Sequence, residues 1–170
     1  MQTISYYDSP FGKILLASDQ AGLTGLWFED DRGYADNLTS EHRLGESSFV
    51  KDAKEWLDLY FAKQKPDFTP KLHLQGTDFQ IKVWQELMKI PYGQVISYKD
   101  LAQKVSSDPK HLPIRAAGGA VGKNHITVII PCHRVIGANN NLTGYRAGIE
   151  KKIQLLELEG INTKLFTNPR

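Results

Sequence analysis

The sequence holds a single cysteine in 170 residues, so it cannot form an intrachain disulfide, and a disulfide-stapled secreted miniprotein is excluded. Long hydrophobic runs are also missing. No stretch approaches the ~18 apolar residues of a membrane span, and the opening Met1-Gln2-Thr3-Ile4-Ser5 has neither the basic start nor the apolar run of a secretory signal. The expectation is a cytoplasmic protein with no membrane partner. Fourteen glycines and eight prolines, without a period, are too few for a collagen-like or low-complexity chain. None of the five histidines pairs as His-x-x-x-His, and one thiolate cannot complete a structural zinc set, so no metal is expected.

What is present is an ordinary globular composition, 41% hydrophobic and 24% charged, at a length that suits one compact domain or two small ones. The net charge of +2 hides an asymmetry: residues 1–75 carry a net charge of −4 and residues 76–170 one of +6. A basic half of this kind suits a polyanion partner, although a solvated basic surface would read the same way.

Thr3–Tyr7, Ile14–Ala17 and Leu23–Phe28, separated by Ser9-Pro10-Phe11-Gly12 and Asp19-Gln20-Ala21-Gly22, read as a small antiparallel meander. Phe49, Ala53, Trp56, Leu57, Tyr60 and Phe61 then recur at spacings of three and four and predict a helix that covers the sheet. The weakly periodic stretch Lys63–Gly76, with Pro66 and Pro70, is the expected linker between a domain of residues 1–75 and one of residues 76–170. In the second domain Phe79–Met88 and Tyr98–Val105 read as helices. Arg115–Asn124 is a run of small residues between cations, and with the preceding helix it suggests a helix-turn-helix arrangement. Val128-Ile129-Ile130 reads as a buried strand, Gly137–Gly144 as an Asn-rich loop, and Ile149–Glu159 as a last helix stopped by Gly160.

Cys132 is followed directly by His133 and Arg134, and a thiolate is the nucleophile wherever a base or a cation favours it. Taken alone, Cys132 would read as a small core residue and His133 as a structural histidine. Competing chemistries fail on spacing. A zinc deaminase needs a second Cys at Val135, and a phosphate loop needs Gly at Ala117 and Ser or Thr at Asn124. No Gly-x-Gly-x-x-Gly follows a strand. A papain-like hydrolase wants its His and Asn far downstream of the Cys, and only 38 residues follow Cys132, so a cysteine hydrolase stays open as a weaker reading.

Pro131-Cys132-His133-Arg134-Val135, preceded by Arg115-Ala116-Ala117-Gly118-Gly119-Ala120 and Asn124, resembles the O6-alkylguanine-DNA alkyltransferases. Pro91-Tyr92-Gly93, Ile96-Ser97-Tyr98, Gly144-Tyr145-Arg146 and Leu155-Leu156…Glu159-Gly160 extend the resemblance from about Phe79 through Gly160. It implies a ribonuclease-H-like α/β domain followed by a mainly α, winged-helix or helix-turn-helix domain. The implied reaction is irreversible transfer of an alkyl group from O6 of guanine, or O4 of thymine, in double-stranded DNA to the sulfur of Cys132. It needs no cofactor and is carried out by a monomer.

By the same resemblance His133 deprotonates Cys132 through a water, Glu159 orients His133, and Tyr98 donates a hydrogen bond to the departing base. Arg115 fills the place of the flipped nucleotide, Ala116, Gly118 and Gly119 approach the minor groove, and Lys123 and Arg134 lie near DNA. Asn124, Val135, Tyr145 and Arg146 form the base pocket. Ser106–Ile114 is a few residues longer than is usual in the family, and the zinc-binding residues of some relatives are missing from the N-terminal domain. A lesion-recognising regulator without chemistry is the alternative, one that leaves the thiol without a use.

Overall fold

A computed structural model of the chain describes residues 1–169. They fall into two compact units, one of Met1–Gln75 with His125–Ile129, the other of Gly76–Asn124 with the chain from Ile130 onward. The segment 125–129 thus belongs to the first unit, a crossing that a single cut after residue 75 does not foresee.

The first unit is built on a four-stranded sheet of β1 (Gln2–Ser9), β2 (Gly12–Ser18), β3 (Leu23–Phe28) and β4 (His42–Leu44), in the order β3-β2-β1-β4. The meander forms as expected, with Ile4 opposite Ala17 and Leu15 opposite Trp27. The sheet is mixed, however, because β4 pairs parallel to β1. That strand is three exposed residues long and has no alternation of apolar and polar side chains to announce it.

Ile4, Leu15, Ala17 and Trp27 make one apolar cluster with Ala35 and Leu38 packed on it. The Trp27 ring lies over residue 25 so closely that a Cβ there would stand 1.9 Å from Cη2, which only glycine avoids. α1 (Ser48–Phe61) starts at Ser47, whose hydroxyl accepts from Val50 N at 3.2 Å, and buries Val50, Ala53, Trp56, Leu57 and Tyr60.

Val128-Ile129-Ile130 is not a strand, contrary to its apolar run. Residues 125–127 only touch the edge of β3, through Leu26 N to His125 O at 2.8 Å and Thr127 N to Leu26 O at 3.1 Å. Val128 then takes φ +72°, a left-handed conformation that stops a ladder and that β-branched residues rarely adopt. Periodicity cannot separate such a buried turn from a buried strand.

In the second unit α2 (Asp78–Leu87) opens with a capping box between Thr77 and Gln80 and buries Val83, Trp84 and Leu87. The Trp84 indole donates to Ala120 O at 2.8 Å and pins α2 to α4 (Ile114–Gly122). α3 (Tyr98–Val105) packs on the same helix and, with α4, forms the expected helix-turn-helix. Two short parallel strands, β5 (Ile96–Ser97) and β6 (Val135–Ile136), bring the segment before α3 beside the segment that follows Cys132. α5 (Ile149–Leu158) ends in a Schellman closure, Gly160 N to Glu157 O and Ile161 N to Leu156 O, with Gly160 at φ +88°. Among the described residues no helix is long and apolar enough to cross a membrane.

Candidate active site

Cys132, His133 and Arg134 occupy a single 3₁₀ turn set up by Pro131, and all three side chains are buried. The turn aims three consecutive residues in different directions, and each meets a different part of the unit.

His133 Nε2 lies 2.6 Å from Glu159 Oε2. Glu159 is fixed at the C-cap of α5, and Gly93 N also donates to its Oε1 at 2.9 Å. Burial alone would raise this carboxyl, but the hydrogen bonds and charges of His133 and Arg134 outweigh it and hold the group at about 2. An ionised carboxylate only accepts, so Nε2 carries the imidazole proton and Nδ1 keeps its lone pair. Nδ1 is buried with no hydrogen-bond partner among the described residues. Burial lowers the His133 pKa, and the cations of Arg134 and Lys152 add to it against the pull of Glu159, so the ring is neutral at pH 7.

Arg134, expected near DNA, has its guanidinium turned into the protein. Its Nε and Nη2 donate to the two Glu159 oxygens at 2.8 and 3.1 Å, and its Nη1 donates to Ile90 O at 2.7 Å. The guanidinium also lies 5.8 Å from the centre of the Tyr92 ring. These contacts leave only 7% of the residue exposed.

Burial pushes the Cys132 thiol up from its ordinary value, a tendency opposed by the neighbouring Asn124 and Tyr145 side chains and by the charges of Lys152 and Arg146. The resting sulfur is therefore a thiol rather than a preformed thiolate. Asn124, just past the end of α4, donates from Nδ2 to Ile130 O at 2.9 Å, while its own carbonyl accepts from Arg146 Nη2 at 2.8 Å. The helix end, the turn before the cysteine and the Tyr145–Arg146 segment are thereby joined at one residue. Tyr98, the first residue of α3, has its phenol pushed up by burial and by the neighbouring Cys132, and lies beside Thr143.

The Val135 N–H donates to Cys132 O within the turn, and its carbonyl accepts from Lys152 Nζ at 2.8 Å. Lys152 is fully buried and was not anticipated as part of the site. The signal was there: it sits three and four residues before Leu155 and Leu156, on the apolar stripe of α5.

On α4 the structure separates two faces. Ala117, Ala120 and Val121 are buried, whereas Arg115, Ala116, Gly119 and Lys123 just beyond are exposed. Gly118 lies under the Tyr98 ring, where an added Cβ would make ordinary contact at 3.7 Å. Around Gly119 and Gly122 a Cβ would meet nothing within 4 Å. The fold leaves this surface bare without needing it bare. Among the described residues no group of three or more His, Cys, Asp or Glu could hold a metal ion.

The family description "6-O-methylguanine DNA methyltransferase, DNA binding domain" matches residues 78–161, and its ribonuclease-like domain matches residues 3–74. The methylated-DNA–protein-cysteine methyltransferase of Methanosarcina acetivorans is 41% identical over 91% of this chain and 96% of its own. That of Mycobacterium leprae is 41% identical over 89% and 88%. Among solved structures, Mycobacterium tuberculosis OGT in complex with DNA superposes with a TM-score of 0.81 at 36% identity, covering 96% of this chain and 94% of that one. With both of its domain patterns present in order, and relatives of this identity along nearly the whole length, the chain belongs to the O6-alkylguanine-DNA alkyltransferase family.

Proposed function

We propose that this protein repairs alkylated double-stranded DNA directly, by moving the alkyl group from O6 of guanine to Sγ of Cys132. The observation that carries the reading is the buried turn in which a lone thiol is followed by a neutral histidine, held by an ionised glutamate at one nitrogen and bare at the other.

The exposed face of α4 is the DNA-approaching surface. Its lack of side chains lets the helix enter a minor groove, with Lys123 near phosphate. O6 of guanine is inside the base stack, so the nucleotide must be turned out, and Arg115, exposed at the start of α4, fills the gap. Asn124, Tyr145 and Arg146, which all act on the Cys132 thiol, form the pocket in which the base arrives.

A thiol held up by burial needs a base at the moment of reaction. His133 Nδ1 takes the Cys132 proton through one water, while Glu159 stabilises the imidazolium as it forms. The thiolate attacks the alkyl carbon, the carbon–O6 bond breaks, and its electron pair stays on the guanine. Tyr98 donates a hydrogen bond as that charge develops, and the base regains a proton. The thioether has no route back, so each molecule reacts once. No redox change occurs, and no cofactor is required. A binder without chemistry would have no use for this arrangement around the sulfur. The reading includes O4-alkylthymine as a second substrate, a monomeric protein and a cytoplasmic location.

The test is a titration of duplex carrying O6-methylguanine against increasing protein, followed by base analysis of the DNA. Guanine should be restored in proportion to the protein added and then stop. Continued turnover, or lesions bound and left unchanged, would overturn the reading.

A further inference from the structure

The loop between β6 and α5 carries Tyr145 and Arg146, and it is held in an unfavourable shape. Asn139, Asn140 and Thr143 all have left-handed backbones, at φ +56°, +57° and +59°. Asparagine tolerates this region, but a β-branched threonine does not, so Thr143 needs neighbours that fix it there. At the neck of the loop Gly137 N donates to Asn141 O at 2.7 Å, and a Cβ on Gly137 would stand 2.5 Å from the Thr143 methyl.

Two fastenings hold this loop. From α5, Lys152 Nζ donates to Leu142 O, to Val135 O at 2.8 Å and to Thr143 Oγ1 at 3.3 Å. On the other side lies the tail that follows α5, which makes a 3₁₀ turn at Thr163–Leu165 and then pairs with the loop. Leu142 N donates to Thr167 O and Thr167 N donates to Asn140 O, both at 2.9 Å, and Asn141 Nδ2 reaches Asn168 O at 3.4 Å. Leu142 is thus gripped through its N–H by the tail and through its carbonyl by Lys152. The next residue, Thr143, neighbours Tyr98, and three positions further on Arg146 donates to Asn124 O, whose side chain in turn holds Ile130 O two residues before Cys132. The tail is outside the family patterns, which end at residue 161.

We propose that Thr167 is a positioning residue: its backbone pairing with Asn140 and Leu142 clasps the 137–146 loop, sets the wall of the base pocket, and so determines the size of alkyl group the site accepts. The inference rests on the alkyl-transfer reading above, but the clasp itself can be read without chemistry.

Thr167→Pro removes the N–H that Asn140 O accepts, and Phe166 before it is already extended, as a residue preceding proline must be. A chain ending at Phe166 removes the same pairing without a proline ring. Two quantities are measured: hydrogen exchange of the loop amides, and the ratio of single-turnover rates on duplexes bearing O6-methylguanine and O6-benzylguanine. In both variants the Leu142 amide should exchange faster and the methyl-to-benzyl ratio should fall about fivefold, the factor that one ordinary hydrogen bond carries. Thr167→Ala, which keeps the N–H, should return both to their original values.

A general loss of stability would slow both lesions alike and leave the ratio where it was, which would overturn the proposal. Unchanged exchange at Leu142, or faster exchange with an unchanged ratio, would overturn it as well. Altered exchange in a protein that is inert toward both lesions would fault the alkyl-transfer reading and leave the clasp standing.

Discussion

His133 Nε2 and Glu159 Oε2 are 2.6 Å apart with neither side chain exposed, and the same carboxylate is held from its other side by Arg134. Burial, with the Arg134 and Lys152 cations close by, keeps the imidazole a neutral base at rest against the pull of that anion. The arrangement also makes the site sensitive to acid in two separate windows.

Glu159, held at about 2 in the folded chain, contributes stability that is fully present above its unfolded value and is lost as pH falls from about 4.5 to about 2. A shift of that size corresponds to roughly 3 kcal/mol. His133 has its folded pKa lowered, so the unfolded chain takes the proton first, and stability falls as pH drops below about 6.5. Thermal unfolding followed from pH 8 to pH 5 should show this decline, and His133→Gln should flatten it. An equal decline in the variant would contradict a neutral buried His133.

Arg134→Gln leaves the Glu159 charge half unpaired in a buried place, an error that costs about 3–5 kcal/mol. It should lower the melting temperature sharply and slow the reaction. The salt dependence of DNA binding by the folded fraction should stay as it was. Lys123→Ala should behave in the opposite way, with unchanged stability and a salt slope reduced by about one. A reduced slope in Arg134→Gln would return that residue to the DNA surface.

Gly119 separates the demands of folding from those of binding. An added Cβ meets nothing, so Gly119→Ala should stabilise α4 by about 1 kcal/mol, as alanine does over glycine in a helix interior. Gly119→Leu should keep the fold and weaken binding to duplex, read by unfolding and by fluorescence anisotropy. Undiminished binding by the leucine variant would show that DNA does not approach this face.

How much of this was legible in the sequence depended on whether a residue's role follows from its neighbours in the chain. Cys132 and His133, which read as core residues when taken alone, became legible through the Pro131–Val135 motif and its resemblance to the alkyltransferases, and Gly160 marked the helix end that carries Glu159. Arg134 misled because charge predicts exposure, and only the fold supplies Glu159, Ile90 O and Tyr92 to satisfy it indoors. Lys152 was hidden by the same habit. Val128 and β4 escaped because a left-handed turn inside an apolar run and a three-residue edge strand leave no period to read. The pairing of Thr167 with Asn140 joins residues far apart in sequence through backbone atoms alone, which no side-chain pattern records.

Arg115, exposed at the start of α4, matters only when a nucleotide must be held out of a stack. Arg115→Ala should slow repair of duplex by about tenfold or more, a loss of a few kcal/mol being what unstacking demands. Reaction with free O6-benzylguanine should be nearly unaffected. Equal losses on duplex and free base would assign Arg115 to the pocket or to folding instead.

The central claim is that the Cys132 sulfur is the acceptor of the alkyl group. Intact mass and peptide mapping after incubation with an O6-methylguanine duplex test it directly. The expected result is a gain of one methyl group, located on Cys132 and absent in Cys132→Ala, which should still bind the lesion. Restored guanine with an unmodified Cys132, or a methyl group on any other residue, would contradict it.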